Sequence, residues 1–196
     1  MDELRRFCVR VLGDGPAADE AEQEARAGER DDRLGRLSAA LRACREREPS
    51  SPAMSSADGL AVAVVRELQA ATARLTGQQR EALALRDLLG LPYDELATVM
   101  QLEPDSVPGL LAGARIALRA ELRGALRPGA QCPEHDRALR TISLRQDGQP
   151  VPAADDDWLV EHLGHCRECG RAHSAMLEAG ACYRAWRSEP VPAGDE

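Results

Sequence analysis

The chain has 196 residues and a mass of 21.2 kDa, room for one ordinary domain or for two to three small ones. Hydrophobic residues make up 43% and charged residues 30%, but aromatics only 3%, so a core must come from Leu, Val and Ala, a composition that favours packed helices. The net charge of −8, the absence of any Lys and an apolar run no longer than Gly59 to Val65 exclude a membrane span and a strongly basic nucleic-acid binder.

The charge is spread without a basic patch: 12 acids face 10 Arg over residues 1–50, 9 face 8 over 51–127, and 12 face 7 over 128–196. Met1-Asp-Glu-Leu-Arg-Arg6 offers no apolar signal core, which predicts a soluble, cytoplasmic protein. Six Cys in that setting point to metal or redox chemistry rather than to a disulfide framework.

In chain order, a helix is predicted from Glu3 to Leu12, stopped by Gly13 and Gly15. A second follows Pro16, a favoured first-turn residue. Leu34, Leu37, Leu41 and Cys44 recur at helical spacing and give a third. The Pro/Ser-rich stretch Pro49 to Gly59 reads as a linker. Asp58 is placed to cap a helix striped with Leu60, Val64, Leu68 and Leu75, and Thr76 to cap one carrying Leu83, Leu85, Leu88 and Leu89 up to Gly90. A short helix runs from Asp94 to Met100. After the turn Gln101-Leu-Glu-Pro104, Ser106 is expected to cap a longer one with Leu111, Ala114, Leu118 and Leu122 on one face. Arg127 to Gln131 forms a second break. A helix is expected from about Pro133 to Leu144, then the Asp147-Gly148 turn. Next comes a helix begun by Asp155-Asp-Asp157 and stopped by Gly164, then one from Glu168 to Arg187. Residues 188–196 read as a frayed tail. The expected architecture is all-α: units at 1–48, 60–127 and 132–187, joined by the linker at 49–59.

Asp94–Met100, a tight turn and Ser106–Leu122 have helix-turn-helix spacing, with Leu96, Val99, Leu102, Val107 and Leu111 as the locking residues. Spacing alone equally fits two ordinary packed helices. The run Gln78-Gln-Arg-Glu81, Leu85-Arg-Asp87 and Tyr93-Asp-Glu-Leu-Ala97 closely resembles region 4 of extracytoplasmic-function sigma factors, and the likeness continues through Ser106-Val107 and Ala114-Arg115 to Leu118-Arg119. The resemblance implies a domain that reads a promoter element and touches RNA polymerase, with Ser106, Arg115 and Arg119 as candidate DNA contacts. A solvated helix face is the competing role for the arginines. The chain departs from that family just after Val107: Pro108, Gly109, Leu110, Ala112 and Gly113 stand where basic and polar residues are usual. Loss of Arg there removes both phosphate charge and the fork that reads guanine.

Residues 1–48 resemble a shortened sigma region 2. Ala18-Asp-Glu-Ala-Glu-Gln-Glu-Ala25 is similar to its polymerase-binding helix, which makes Glu20, Gln23 and Glu24 candidate polymerase contacts. The segment that melts promoter DNA in that family has no counterpart here, and Phe7 is the sole aromatic before Tyr93. An unrelated helical hairpin is the alternative for this stretch.

The strongest chemical pattern is His162-Leu-Gly-His-Cys166-Arg-Glu-Cys169. A His and a Cys-x-x-Cys pair supply three tetrahedral positions, and Cys132 upstream supplies a fourth, a donor set suited to one structural Zn²⁺ per chain. His135 and His165 compete for a place, and a metal-free redox pair is the alternative chemistry. Cys8, Cys44 and Cys182 are read as core residues. The pattern resembles the zinc-binding anti-sigma domain, including the Asp147-Gly148 turn and His162-Leu163; in such domains the helices wrap a sigma factor. The expected function is therefore a transcription regulator with RNA polymerase core or a sigma factor as partner, promoter DNA bound weakly, and no membrane or small-molecule substrate. The alternative is an anti-sigma or accessory protein that has lost DNA recognition. No phosphate loop or nucleophile–base pairing points to an enzyme.

Overall fold

The computed structural model describes residues 2–28, 32–49, 60–124 and 132–186. These fold as ten α-helices, with no strand among the described residues. They are α1 (Glu3–Leu12), α2 (Pro16–Ala27), α3 (Arg33–Arg45), α4 (Leu60–Ala73), α5 (Gly77–Leu83), α6 (Tyr93–Met100), α7 (Val107–Arg123), α8 (His135–Gln146), α9 (Ala153–His165) and α10 (Arg167–Ala185). The all-α expectation holds. The linkers at 50–59 and 127–131, the tail at 188–196 and the Asp58 cap lie outside the described residues.

Local chemistry explains most boundaries. Gly13, at φ 86, turns the chain out of α1, and Pro16 opens α2. The Asp32 carboxylate accepts from the Gly35 amide at 2.7 Å and starts α3. Thr76 and Gln79 form a reciprocal capping box at α5. Beyond Leu83 the helix widens into a π turn over Ala84–Leu88, where the Leu89 amide reaches back to the Ala84 carbonyl, and Gly90 at φ 72 ends it.

Three expectations need correction. Ser106 does not cap α7: it closes a 3₁₀ turn (Pro104–Ser106), and its hydroxyl donates to the Glu103 carbonyl at 2.7 Å. Gly164 does not stop α9, which runs on to His165 and ends where Cys166 adopts extended backbone. Val64 is not on the buried stripe of α4 but 55% exposed; Leu68 and Leu75 are buried.

The apolar residues gather in three clusters, and α7 contributes to all of them. Leu111 and Val107 join a core shared by α1, α2, α3 and α6. Ala114 and Leu118 pack with Leu68 of α4 and with Ala179, Tyr183 and Trp186 at the end of the chain's described part. Ala112 packs with Ala138 and Ile142 of α8, Leu159 of α9, and Cys169 and Met176 of α10. Leu96, Val99, Leu102, Val107 and Leu111 lock the two-helix unit as the spacing predicts. Phe7 is fully buried in the first cluster and offers no stacking surface. The clusters straddle the three sequence segments instead of lying one inside each. No helix among the described residues is long and apolar enough to cross a membrane.

Candidate functional site

The Cys/His pattern converges in space. Cys132 precedes α8, His162 sits in the last turn of α9, Cys166 forms the break between α9 and α10, and Cys169 lies in the first turn of α10. Their four ligand atoms all lie within 4.8 Å of one another, and Nε2 of His162 is 3.5 Å from Sγ of Cys132. Ligand bonds of about 2.0 Å to nitrogen and 2.3 Å to sulfur place tetrahedral ligand atoms roughly 3.5–3.8 Å apart, so these residues fit one tetrahedral ion with small adjustments. The Cys169 amide beside the Cys166 sulfur holds that thiol below its usual range, which favours the thiolate a metal needs. Burial, followed by the neighbouring thiols, pushes the Cys169 thiol up.

His135 remains nearby, with Nδ1 3.5 Å from Sγ of Cys169. His165 is exposed and bonded to the Glu161 carbonyl at 2.9 Å, away from the cluster. All six cysteines are free thiols; Cys8 and Cys44 are buried in the first core, as expected, and Cys182 is half-buried.

The second region of interest is α7, the position of a recognition helix. Every residue from Val107 to Ala120 is buried or half-buried, and exposure begins only at Glu121. The residues that replace the expected basic ones explain this closure. The Arg140 side chain of α8 lies 3.9 Å from where a Cβ on Gly109 would sit, Ala112 is fully buried against α8 and α10, and Ile116 packs on the same cluster. Leu110 is half-buried against the first core. These small and apolar residues form a packing face for α8, and the small side chains allow the close approach.

A buried charged cluster ties the same elements together. Arg115, 0% exposed, grips Asp87 with two hydrogen bonds of 3.1 and 2.9 Å and reaches Asp147 at 2.8 Å. Burial lowers the Arg115 pKa, but Asp87 and Asp147 outweigh it and leave it raised. Tyr93 donates to Asp147 at 2.6 Å, Arg86 donates to the Asp147 carbonyl at 2.7 Å, and Arg184 of α10 pairs with Asp87 at 2.9 Å. The Asp147-Gly148 turn is thus plugged into a socket made by Arg86, Tyr93 and Arg115.

Arg115 is therefore not a DNA contact in this fold; its guanidinium is spent inside. Arg119 is half-buried, bonded to Glu178 of α10 at 3.3 Å and to the Gly124 carbonyl at 2.9 Å. Ser106 is exposed. On α2, Glu20, Gln23 and Glu24 are all exposed, with Glu20 and Glu24 pairing to Arg47 just beyond α3. Sequence reasoning missed Arg10 of α1. It is buried, donates to the carbonyls of Tyr183 and Trp186 at 3.2 and 2.6 Å, and stacks over the Trp186 ring at 3.7 Å. Its cation meets the negative end of α10. An arginine in an amphipathic first helix carries no local signal of that role.

No curated protein and no solved structure matches the chain. A family model does match part of it: residues 65–118, from α4 through Leu118 of α7, fit the family described as Sigma-70, region 4, and this part of the chain is sigma-factor-like.

Proposed function

We propose that the chain is a transcription regulator built on a sigma region 4 module whose recognition helix serves as an internal packing face, so that it acts through protein contacts and not by reading a promoter. Its partner is RNA polymerase core or a sigma factor, met in the cytoplasm, and no catalytic role is assigned. The single observation that carries this is the cover over α7, which has no exposed residue before Glu121. A recognition helix must lay one free face in the major groove. The exposed Glu20, Gln23 and Glu24 remain available as protein contacts. We assign one zinc ion to Cys132, His162, Cys166 and Cys169, because three sulfurs and one imidazole are the donor set of closed structural zinc sites.

The test is direct. Full-length protein is titrated into labelled duplexes carrying varied promoter sequences, and separately into purified polymerase core and purified sigma factors. DNA affinity is expected to stay at about 10⁻⁴ to 10⁻⁶ M at physiological salt, without sequence preference. Nanomolar, sequence-selective binding, or failure to bind either protein partner, overturns the proposal.

A second reading, a reversible mask, is favoured by the charged character of the Asp147 contact. Asp147→Ala decides it: if the variant gains sequence-selective DNA binding, α7 is a covered reader and not a remodelled one.

A further inference from the structure

We propose that Trp158, held in place by Arg137, is the positioning residue for the metal-binding imidazole of His162. The inference rests on the metal reading above and concerns how this chain keeps the ion.

Nε2 of His162 faces Cys132, so Nε2 is the ligating nitrogen. A metal-bound imidazole is ordinarily oriented by a hydrogen bond from its other nitrogen to a carbonyl or carboxylate. Among the described residues no acceptor meets Nδ1 of His162. The torsion that turns the ring is soft, so something else must hold it. Trp158 lies one turn earlier on α9, on the same helix face. Its ring stacks on that of His162 with centroids 4.8 Å apart and planes 22° apart. On Trp158, in turn, rests the guanidinium of Arg137 of α8, 4.0 Å from the ring centroid. Arg137 is fixed by Asp155 in the first turn of α9 at 2.5 Å. The order Asp155, Arg137, Trp158, His162 is a stack of polar and aromatic groups that ends on the metal site. Where no protein acceptor meets Nδ1, it supplies a flat surface that permits one ring plane and covers one face of the imidazole. Trp158 is half-buried and also packs against the third apolar cluster, so its ring is held from that side as well.

The experiment uses full-length zinc-loaded protein and follows zinc transfer to a chromophoric chelator present in excess. Metal content of the wild type is measured first; a wild type that binds no zinc removes the metal reading itself. Given a loaded wild type, Trp158→Ala is expected to release zinc about tenfold faster or more, the range seen when groups orienting a ligand are lost. Trp158→Phe keeps a flat ring and should stay within about threefold of wild type. Arg137→Gln should speed release about two- to fivefold, the equivalent of an exposed cation–π contact. Ile142→Ala serves as the control, because Ile142 packs in the same apolar cluster and is neither a ligand candidate nor part of the Asp155–Arg137–Trp158 stack. The proposal is overturned if Trp158→Ala leaves release unchanged. It is equally overturned if Ile142→Ala, at a matched loss of melting temperature, accelerates release as much.

Discussion

At the scale of single residues, the buried charges decide the most. Arg115 has no exposure and two carboxylate partners. Removing one member of a buried ion pair strands the others, which costs about 3–5 kcal/mol. Arg115→Ala should therefore lower stability by about that amount, whereas loss of an exposed DNA-contacting arginine would leave stability nearly unchanged; denaturant unfolding separates the two. His173 of α10 gives a pH signature. Burial, then the nearby charge of Arg145, holds its pKa below the ordinary 6.5. The unfolded chain then binds the proton more readily, so stability falls as pH drops below about 6.5 and the loss ends once the folded His also protonates. His173→Gln should flatten that part of the melting-temperature profile relative to wild type. The Cys/His cluster was legible in sequence because His162, Cys166 and Cys169 are closely spaced and the chemistry of His and Cys is distinctive. Asp147 was visible as a turn residue, yet its plug into Arg86, Tyr93 and Arg115 was not, because side chains about thirty to sixty positions away leave no periodic trace.

At the scale of elements, α7 shows both the reach and the limit of pattern reading. Its core face, Leu111, Ala114 and Leu118, follows from helical period and is buried as expected. The opposite side, Gly109, Ala112 and Gly113, reads as a surface stripped of function. In the fold Gly109 and Ala112 meet α8, and a packing face of small residues looks the same in sequence as a lost reader. The distinction is testable. Pro108→Arg with Leu110→Arg would restore DNA affinity on a bare helix. Here Pro108 is buried and Leu110 packs on the first core, so both arginines must displace neighbours or drag charge into apolar surroundings. The double variant should lose several degrees of melting temperature and gain no sequence-selective DNA binding; an unchanged melting curve with steeper salt-dependent DNA binding would contradict the packing role.

At the scale of the whole molecule, the three sequence segments are fastened by chemistry at two distant points. Arg10 joins α1 to the carbonyl end of α10, and the Asp147 socket joins the α8–α9 turn to the π turn after α5, to α6 and to α7. Of the Cys/His cluster, His162, Cys166 and Cys169 lie between Asp147 and the end of α10 in sequence, and Cys169 shares the apolar cluster through which α8 and α10 cover Ala112 of α7. Only weak apolar content supports α8–α10 by themselves: Ala138, Ile142, Leu159, Cys169 and Met176 are the buried members of that cluster besides Ala112. On the proposed metal reading, a unit so sparsely filled draws folding energy from an ion. Chelation should therefore loosen α8 and α9 first. Because α8 is part of what covers α7, amide protection along Gly109–Ile116 should fall with it. α2 and α3, which pack in the first core, should hold their protection. Hydrogen exchange on loaded and chelated protein reads all three regions at once. Loss of protection confined to residues 132–169, with α7 unchanged, would show that the cover is held by the Asp147 socket and Arg10 alone. A fall at α7 that Cys169→Ser reproduces without chelator would place the ion itself among the groups that keep the recognition helix closed.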